Sequence, residues 1–570
     1  MSKRLQHILQ FVGILVAVLV TYTVGQWAHV RIDMTEDQRF SLNSTTRDLA
    51  RNVQDPMLFT VYLEGDMSPH FQRLRAETRR MLEEFSAVNR QIQFHFEDPS
   101  ASEDAGVRRD VYTQLRNKGL YSIQDQDEDG GSLSIHEIFP GMVVSYKGRE
   151  HALNLLAMEF SKRPEDLITP SIQNLEFNLA TAIRNLTTEI VQRIGIVDGH
   201  AELAPVQTAS LANELFKNYH VERFDFREFP VDSLTDQPSL EMQVLRMNTF
   251  DMLIIAKPME SFEDLDRWLL DQYLMRNGRV VMAVDMVPAT VDSLSQRESF
   301  LAVANPALQG LSQQVFNYGA RINTDLVRDM SCSDLPTNVH GDARPWSYFP
   351  IAMPRADDPI SGNLSRPVRL LFPSSIDLIK TPGVTQRILL TSSRQSYVQA
   401  TPGMVSLRTL YTQLNPALHT DSSQVFAVLL EGALPSYYAN RFTPMSESMR
   451  LPNAAKDAKL FIVSDGDFVR NQLNRIVPRI PAGEPLPLGF DQFTKRSYGN
   501  QDFMMNVIDV MLDQNWLVDI RGREVTERLL DPVKVNDHGM WLRYANLFGP
   551  MIIALIWTWL YQRIQKRRYA

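Results

Sequence analysis

Two apolar segments sit at opposite ends of this chain, Ile8–Trp27 and Ala545–Gln562, and the sequence between them has the balance of a water-soluble protein. At about 1.5 Å of rise per residue, each is long enough as a helix to cross a hydrocarbon core of roughly 30 Å. Lys3 and Arg4 precede the first segment; Arg563, Lys566, Arg567 and Arg568 follow the second. Cations beside a span stay on the cytoplasmic side, so the pattern predicts a two-pass membrane protein with both termini cytoplasmic. The first apolar run is longer than a signal-peptide core, and Thr23-Val24-Gly25 makes a poor cleavage site, so it reads as a retained anchor. Gly549-Pro550 predicts a kink in the second span.

The part between the spans must fold without covalent help. Cys332 is the only cysteine in 570 residues, so no intrachain disulfide exists and hydrophobic cores carry the stability. A chain of this length is expected to form two or three domains. The formal net charge is −9, and setting aside the six flanking cations leaves −15 on the remainder. Such an acidic surface argues against nucleic acid as a partner.

Periodicity divides the chain into an α/β fold between two terminal transmembrane helices. Residues 1–7 form a cytoplasmic N-terminus, 8–27 the first span, and 28–188 a domain whose βαβ, α, ββ, α order is thioredoxin-like. Its elements are a strand at Leu58–Leu63, a helix at Phe71–Val88, a strand at Ile92–Phe96, a helix at Val107–Asn117, a hairpin over Met142–Leu155 and a helix at Ile172–Leu186. No Cys-x-x-Cys is present, so disulfide exchange is excluded. Residues 189–500 read as a flavodoxin- or glutamine-amidotransferase-like parallel-sheet domain, with a long Pro-, Ser- and Asn-rich insertion at about 287–420. Its apolar strands, such as Phe250–Ala256, Arg279–Val284 and Lys459–Val463, alternate with helices, as a sheet covered on both faces requires. A helical segment at 501–544, the second span at 545–562 and a basic cytoplasmic tail at 563–570 complete the chain.

The chemistry-bearing motifs are sparse. No Gly-Lys dipeptide occurs, which excludes a P-loop and assigns any ATP hydrolysis to another subunit. His200-x-Glu202 lacks the Pro-Cys-x-x-Cys that would complete a deaminase zinc site. With Asp198 it reads as a polar loop after a strand. Asp125, Asp127, Asp129 and Gly130 open like a calcium loop, but the twelfth position is His136, with Glu137 one residue late. A solvated hairpin loop is the expectation there, with no metal. Cys332 lies outside any nucleophile elbow, and no Gly-x-Ser-x-Gly occurs. Asp465 and Asp467 follow an apolar strand, where open α/β sheets bind ligands, although Asp-Gly is more often a turn former. No catalytic residue and no cofactor are expected. Asp198, His200, Glu202, Asp465 and Asp467 are candidate ligand or contact positions.

Several blocks in order carry a family likeness. They are Asp33-Met-Thr-Glu-Asp-Gln-Arg-Phe-Ser-Leu42, Val61-Tyr-Leu-Glu-Gly-Asp66, Ile138-Phe-Pro-Gly141 and Val144-Ser-Tyr-Lys-Gly148. Asp198-Gly-His-Ala-Glu202 follows, with Ala201 where the family has glycine, then Ser464-Asp-Gly-Asp-Phe-Val-Arg-Asn471 and Pro487-Leu-Gly-Phe490 with Tyr498-Gly-Asn500. Over essentially its whole length the chain resembles the GldG family, gliding-motility-associated auxiliary components of ABC transporters. The resemblance implies a bacterial inner-membrane protein with a large periplasmic domain, working with a GldF-like permease and through it a GldA-like ATPase, in two copies per complex. It carries over no catalytic residues. Gly549, Pro550, Trp557 and Trp559 are the candidate permease-docking positions of the last helix. The alternative is an envelope-anchored binding or assembly protein acting without transport.

Overall fold

The computed structural model describes Gly13 and residues 42–569 except 130–131, 157–162, 189–190, 233–235, 295–296, 338–341, 356, 363, 365, 413–414, 444–451, 479 and 522–531. It divides into two units, one ending at Arg523 and the other comprising 34–39 and 524–570.

The first sheet of the larger unit is built from β1 (Met57–Val61), β2 (Ile92–Phe96), β5 (Gly141–Tyr146) and β6 (Arg149–Asn154), in the order β2-β1-β5-β6. Strands β1 and β2 run parallel, connected by α1 (Pro69–Val88), and the β5–β6 hairpin adds antiparallel to β1. Alternation sets the buried face: Met57, Phe59 and Val61 are buried while Leu58 between them is exposed. Helix α1 buries Phe71, Leu74, Thr78, Leu82 and Phe85 at helical spacing against the same core. The βαβ, α, ββ, α order is present, with α2 (Ala105–Asn117) and α3 (Leu175–Thr187) as its other helices. One hairpin is additional: β3 (Ile123–Asp129) pairs with β4 (Ser132–Ile138).

Among the described residues the second sheet has twelve strands. Its main path uses β7 (Arg193–Asp198), β8 (His220–Asp225), β9 (Met252–Ala256), β10 (Arg279–Ala283), β11 (Cys332–Pro336), β12 (Ala343–Pro354), β13 (Val384–Thr391), β14 (Val425–Gly432) and β15 (Ala458–Val463). The order is β11-β12-β13-β14-β15-β10-β9-β7-β8. Strands β8, β7, β9, β10 and β15 are parallel, a doubly wound core whose strand order reverses between β7 and β9. From β14 onward the pairing is antiparallel, so three strands of the 287–420 stretch on this path, β11, β12 and β13, extend the sheet.

Two cores lie on opposite faces of this sheet, and the strands feed both. Met252, Ile254 and Ala256 of β9 enter one core while Leu253 and Ile255 enter the other; Phe461 and Val463 of β15 oppose Leu460 and Ile462 in the same way. Burial on both faces is why these strands read as continuous apolar runs. Helices α4 (Pro205–Leu215) and α8 (Asn500–Met511) cover one face; α5 (Leu240–Met247), α6 (Asp264–Met275) and α7 (Gln309–Tyr318) cover the other. A separate core around Trp346, Tyr348, Phe349 and Phe372 forms within the stretch after β10, with Trp346 and Phe349 ring centroids 5.0 Å apart.

The smaller unit contains α10 (Pro532–Tyr569), which follows α9 (Asn515–Arg521) in the chain. Here the expectation of two terminal transmembrane helices is corrected, and with it the two-pass inner-membrane placement with cytoplasmic ends and a periplasmic centre. No helix among the described residues is long and apolar enough to cross a membrane. In α10 the aliphatic run is confined to Met551–Ile556, bounded by Gly549-Pro550 before it and Trp557-Thr558-Trp559 after it, too short for a roughly 30 Å core. The expected first span, residues 8–27, lies outside the described residues apart from Gly13.

Candidate functional site

Three adjacent parallel strands end in charged residues. Lys257 follows β9 directly, Asp285 stands two residues beyond β10, and Asp465 and Asp467 follow β15. Because β9, β10 and β15 are neighbours in register, these side chains meet at one edge of the sheet. The Lys257 Nζ lies 2.9 Å from Asp285 Oδ2 and 2.7 Å from Asp467 Oδ2. Asp467 also pairs with Arg470 at 3.2 Å. Asp465 caps the turn after β15, accepting the Asp467 amide at 2.9 Å through one oxygen and the Leu371 amide at 2.7 Å through the other.

Two backbone features make this cluster possible. Lys257 adopts a left-handed conformation with φ 55°, costly for a residue with a Cβ, which turns its side chain toward the strand ends. Gly466 donates its amide to Asp285, and a Cβ there would come within 2.7 Å of Lys257 Cγ.

Burial sets the protonation of the group. It pushes the Asp285 carboxyl up to about 6 even though Lys257 pulls the other way. Burial, with Asp285 and Asp467 alongside, holds Asp465 well above the ordinary carboxylate range. Burial opposes the charge on Lys257, but the two carboxylates outweigh it and raise its pKa. The lysine is held by both partners and Asp465 is engaged through both oxygens. The cluster is a closed tie between three strand ends, and no base is left poised on a free side.

A cavity of about 470 Å³ opens beside this tie, within the range of small-molecule sites. Three of the sequence blocks converge on it: Asp465, Asp467, Phe468 and Arg470 from 464–471, Leu488 and Phe490 from 487–490, and Asn500 from 498–500. Arg369 and Arg475 also line it. Sequence reading missed Lys257, Asp285, Arg369 and Arg475. The available signal for the first two was a charged residue at the carboxyl end of consecutive apolar strands.

The other candidate loop lies elsewhere. None of Asp198, His200 and Glu202 lines this cavity, because β9 and β10 separate β7 from β15. Asp198 receives the Arg223 Nε at 2.7 Å. His200 is fully buried between two carboxylates, its Nδ1 3.1 Å from Glu202 and its Nε2 3.1 Å from Asp266. Its ring stacks on Phe262 with centroids 3.7 Å apart. Ala201 holds φ 54°, a conformation suited to the glycine that the GldG family has there.

Asp125 stands in a strand of the β3–β4 hairpin, buried and accepting the Ser68 amide at 2.6 Å; Gly130 lies outside the described residues. No group able to hold a metal ion occurs among the described residues. Cys332 opens strand β11, and burial, together with Asp329 and Asp334, pushes its thiol up to about 12. A thiol so rarely ionised at neutral pH is unreactive. Cys332→Ser should leave the melting temperature within about 1 °C, and iodoacetamide at pH 8 should label the native protein far more slowly than the unfolded chain. Labelling of native protein at the unfolded rate would contradict this.

These features define a doubly wound α/β protein with a closed ion-pair tie at its strand ends and an open cavity beside it. The chain belongs to the family described as an ABC-type uncharacterized transport system, which it matches over residues 191–507. Residues 36–145 match a domain of unknown function. An uncharacterized protein of Borreliella burgdorferi is 20% identical over 425 residues, covering 73% of this chain and 76% of the relative. Among solved structures, the N-terminal domain of mmIFT52 covers 56% of this chain and 97% of its own, at 11% identity and TM-score 0.32. A ThuA-like protein from Parabacteroides merdae covers 55% and 99%, at 10% identity and TM-score 0.24. Family membership supports a non-catalytic accessory role in an ABC transport system.

Proposed function

We propose that the protein is the auxiliary component of a transporter built from a GldF-like permease and a GldA-like ATPase, serving an envelope process such as gliding motility. The strand-end crevice, with Asp465 and Asp467 at its floor, holds a ligand. The last helix docks on the permease. The observation that carries the reading is the family match across more than half of the chain, and the ordered blocks resembling GldG support its finer part. Helix α10 supplies the contact: Trp557 and Trp559 are 73% and 56% exposed, and exposed tryptophans are the side chains on which interfaces most depend. Gly549 and Pro550 lie eight and seven residues before Trp557 in the same helix.

Affinity purification of the tagged chain from a detergent extract tests this. The wild type should recover permease and ATPase together. The double variant Trp557→Ala, Trp559→Ala should recover at least about tenfold less permease, as loss of two interface anchors implies. Undiminished recovery by the variant would remove the helix from the docking role. A wild type that brings down neither protein would leave a binding or assembly protein acting without transport.

A further inference from the structure

The polar side chains around the 470 Å³ cavity divide by whether the fold already uses them. Four of the lining carboxylates are engaged. Asp491 accepts Arg369 Nη1 at 2.9 Å, Thr494 Oγ1 at 2.9 Å and the Phe493 amide at 3.1 Å. Asp334 pairs with Arg496 at 3.3 Å. Asp467 is held by Lys257 and Arg470, and Asp465 by two backbone amides. The amides follow suit: Asn500 bonds both the amide and the carbonyl of Arg369, and the Asn471 side chain bonds Ser210 and Val206.

The donors are not exhausted. Arg475 lines the cavity with no side-chain partner among the described residues, and is exposed. Arg470 makes one ion pair, through Nη1. Arg369, whose side chain is only 10% exposed, uses one nitrogen for Asp491 while its guanidinium lies 4.6 Å from the Tyr498 ring centroid. Each guanidinium has five N–H groups and accepts no bond, so these three side chains keep donors that the fold does not use. Phe349, Phe372, Phe490 and Phe493 supply an apolar wall.

We infer that the crevice binds a small organic anion, a carboxylate or phosphate carried on an apolar body, with Arg475 and Arg470 meeting the anionic group and the phenylalanines its body. Arg369 completes the donor set from its buried position. Guanidinium is suited to this because its planar fork matches the oxygens of either anion. Of the neighbouring aspartates, Asp334, Asp467 and Asp491 are each paired with a cation, and Asp465 is held by two backbone amides. The inference rests on the reading of the crevice as a ligand site.

Calorimetric titration of the full chain with four matched probes tests it: phenylacetate, phenyl phosphate, phenylethanol and phenethylamine. At least one anion should bind about tenfold more tightly than the alcohol and the amine, and the better of the two identifies the anionic group. Arg475→Gln should weaken that anion about fivefold to tenfold while leaving the ligand-free melting temperature unchanged, because the side chain is exposed and unpaired. Equal binding of the alcohol or the amine would overturn the anionic class and leave the crevice a ligand site. Absence of binding by all four at millimolar concentration would overturn the ligand site and the inference with it. Anion binding undiminished in Arg475→Gln would also overturn it.

Discussion

Replacing Lys257 with methionine should destabilise the protein by about 3–5 kcal/mol, the usual cost of removing one partner from a buried ion pair. The side chain is 7% exposed, and its loss leaves Asp285, at 4%, without a cation beside Asp467, at 7%, which keeps only Arg470. Thermal unfolding should register this as a melting temperature lower by roughly 5–10 °C. Adding Asp285→Asn should recover much of the loss, because it removes the charge left without a cation. The same pair carries a pH signature. The folded pKa of Asp285 is raised from 3.8 to about 6, so its contribution is complete below pH 3.8 and is lost as pH rises through 6. Asp285→Asn alone should flatten the stability profile across that window. A Lys257→Met protein that melts with the wild type would show that the tie does not hold the strand ends.

The strands that meet at this tie were legible because burial on both faces leaves an unbroken apolar run, as in Met252–Ala256. Their spatial order was not, since crossovers link residues hundreds of positions apart. For the same reason Lys257, Asp285 and Arg369 could not be placed with Asp465 and Asp467. The Asp-Gly turn reading was correct as far as it went: Asp465 does cap the turn, and the same turn floors the cavity. The acidic run reads in sequence as a solvated hairpin loop, and its strands Ile123–Asp129 and Ser132–Ile138 escape that reading because the first, Ile-Gln-Asp-Gln-Asp-Glu-Asp, shows no apolar alternation. The terminal segments misled in the opposite direction. Their overall apolar character suggested spans, whereas in Ala545–Gln562 the aliphatic stretch is broken on both sides by glycine, proline, threonine and tryptophan.

Removing His200 should cost a similar amount, about 3–5 kcal/mol for His200→Ala, since Glu202 and Asp266 are 1% and 6% exposed, Glu202 loses its partner and Asp266 keeps only Arg227 at 3.5 Å. Phe262 loses its stacked ring as well. Burial disfavours charge on the imidazole, but hydrogen bonds and attraction from Asp266 and Glu202 outweigh it and raise its pKa above 6.5. A raised folded pKa means that the stabilisation is complete below pH 6.5, the unfolded value, and declines as pH climbs through the folded one. The carboxylate side runs the other way. Burial resists the charge on Asp266, yet His200 and Arg227 hold its pKa below 3.8, so its contribution fades as pH falls through that lowered value. The contribution of this triad should therefore hold across the weakly acid range and decline on the alkaline side. His200→Gln keeps two polar contacts but cannot carry the charge, so it should be less stable than wild type in weak acid and approach it above the folded pKa. Parallel melting profiles for the two proteins from pH 5 to 9 would mean that the ring is neutral in the folded protein, and that Glu202 and Asp266 owe their burial to hydrogen bonds alone.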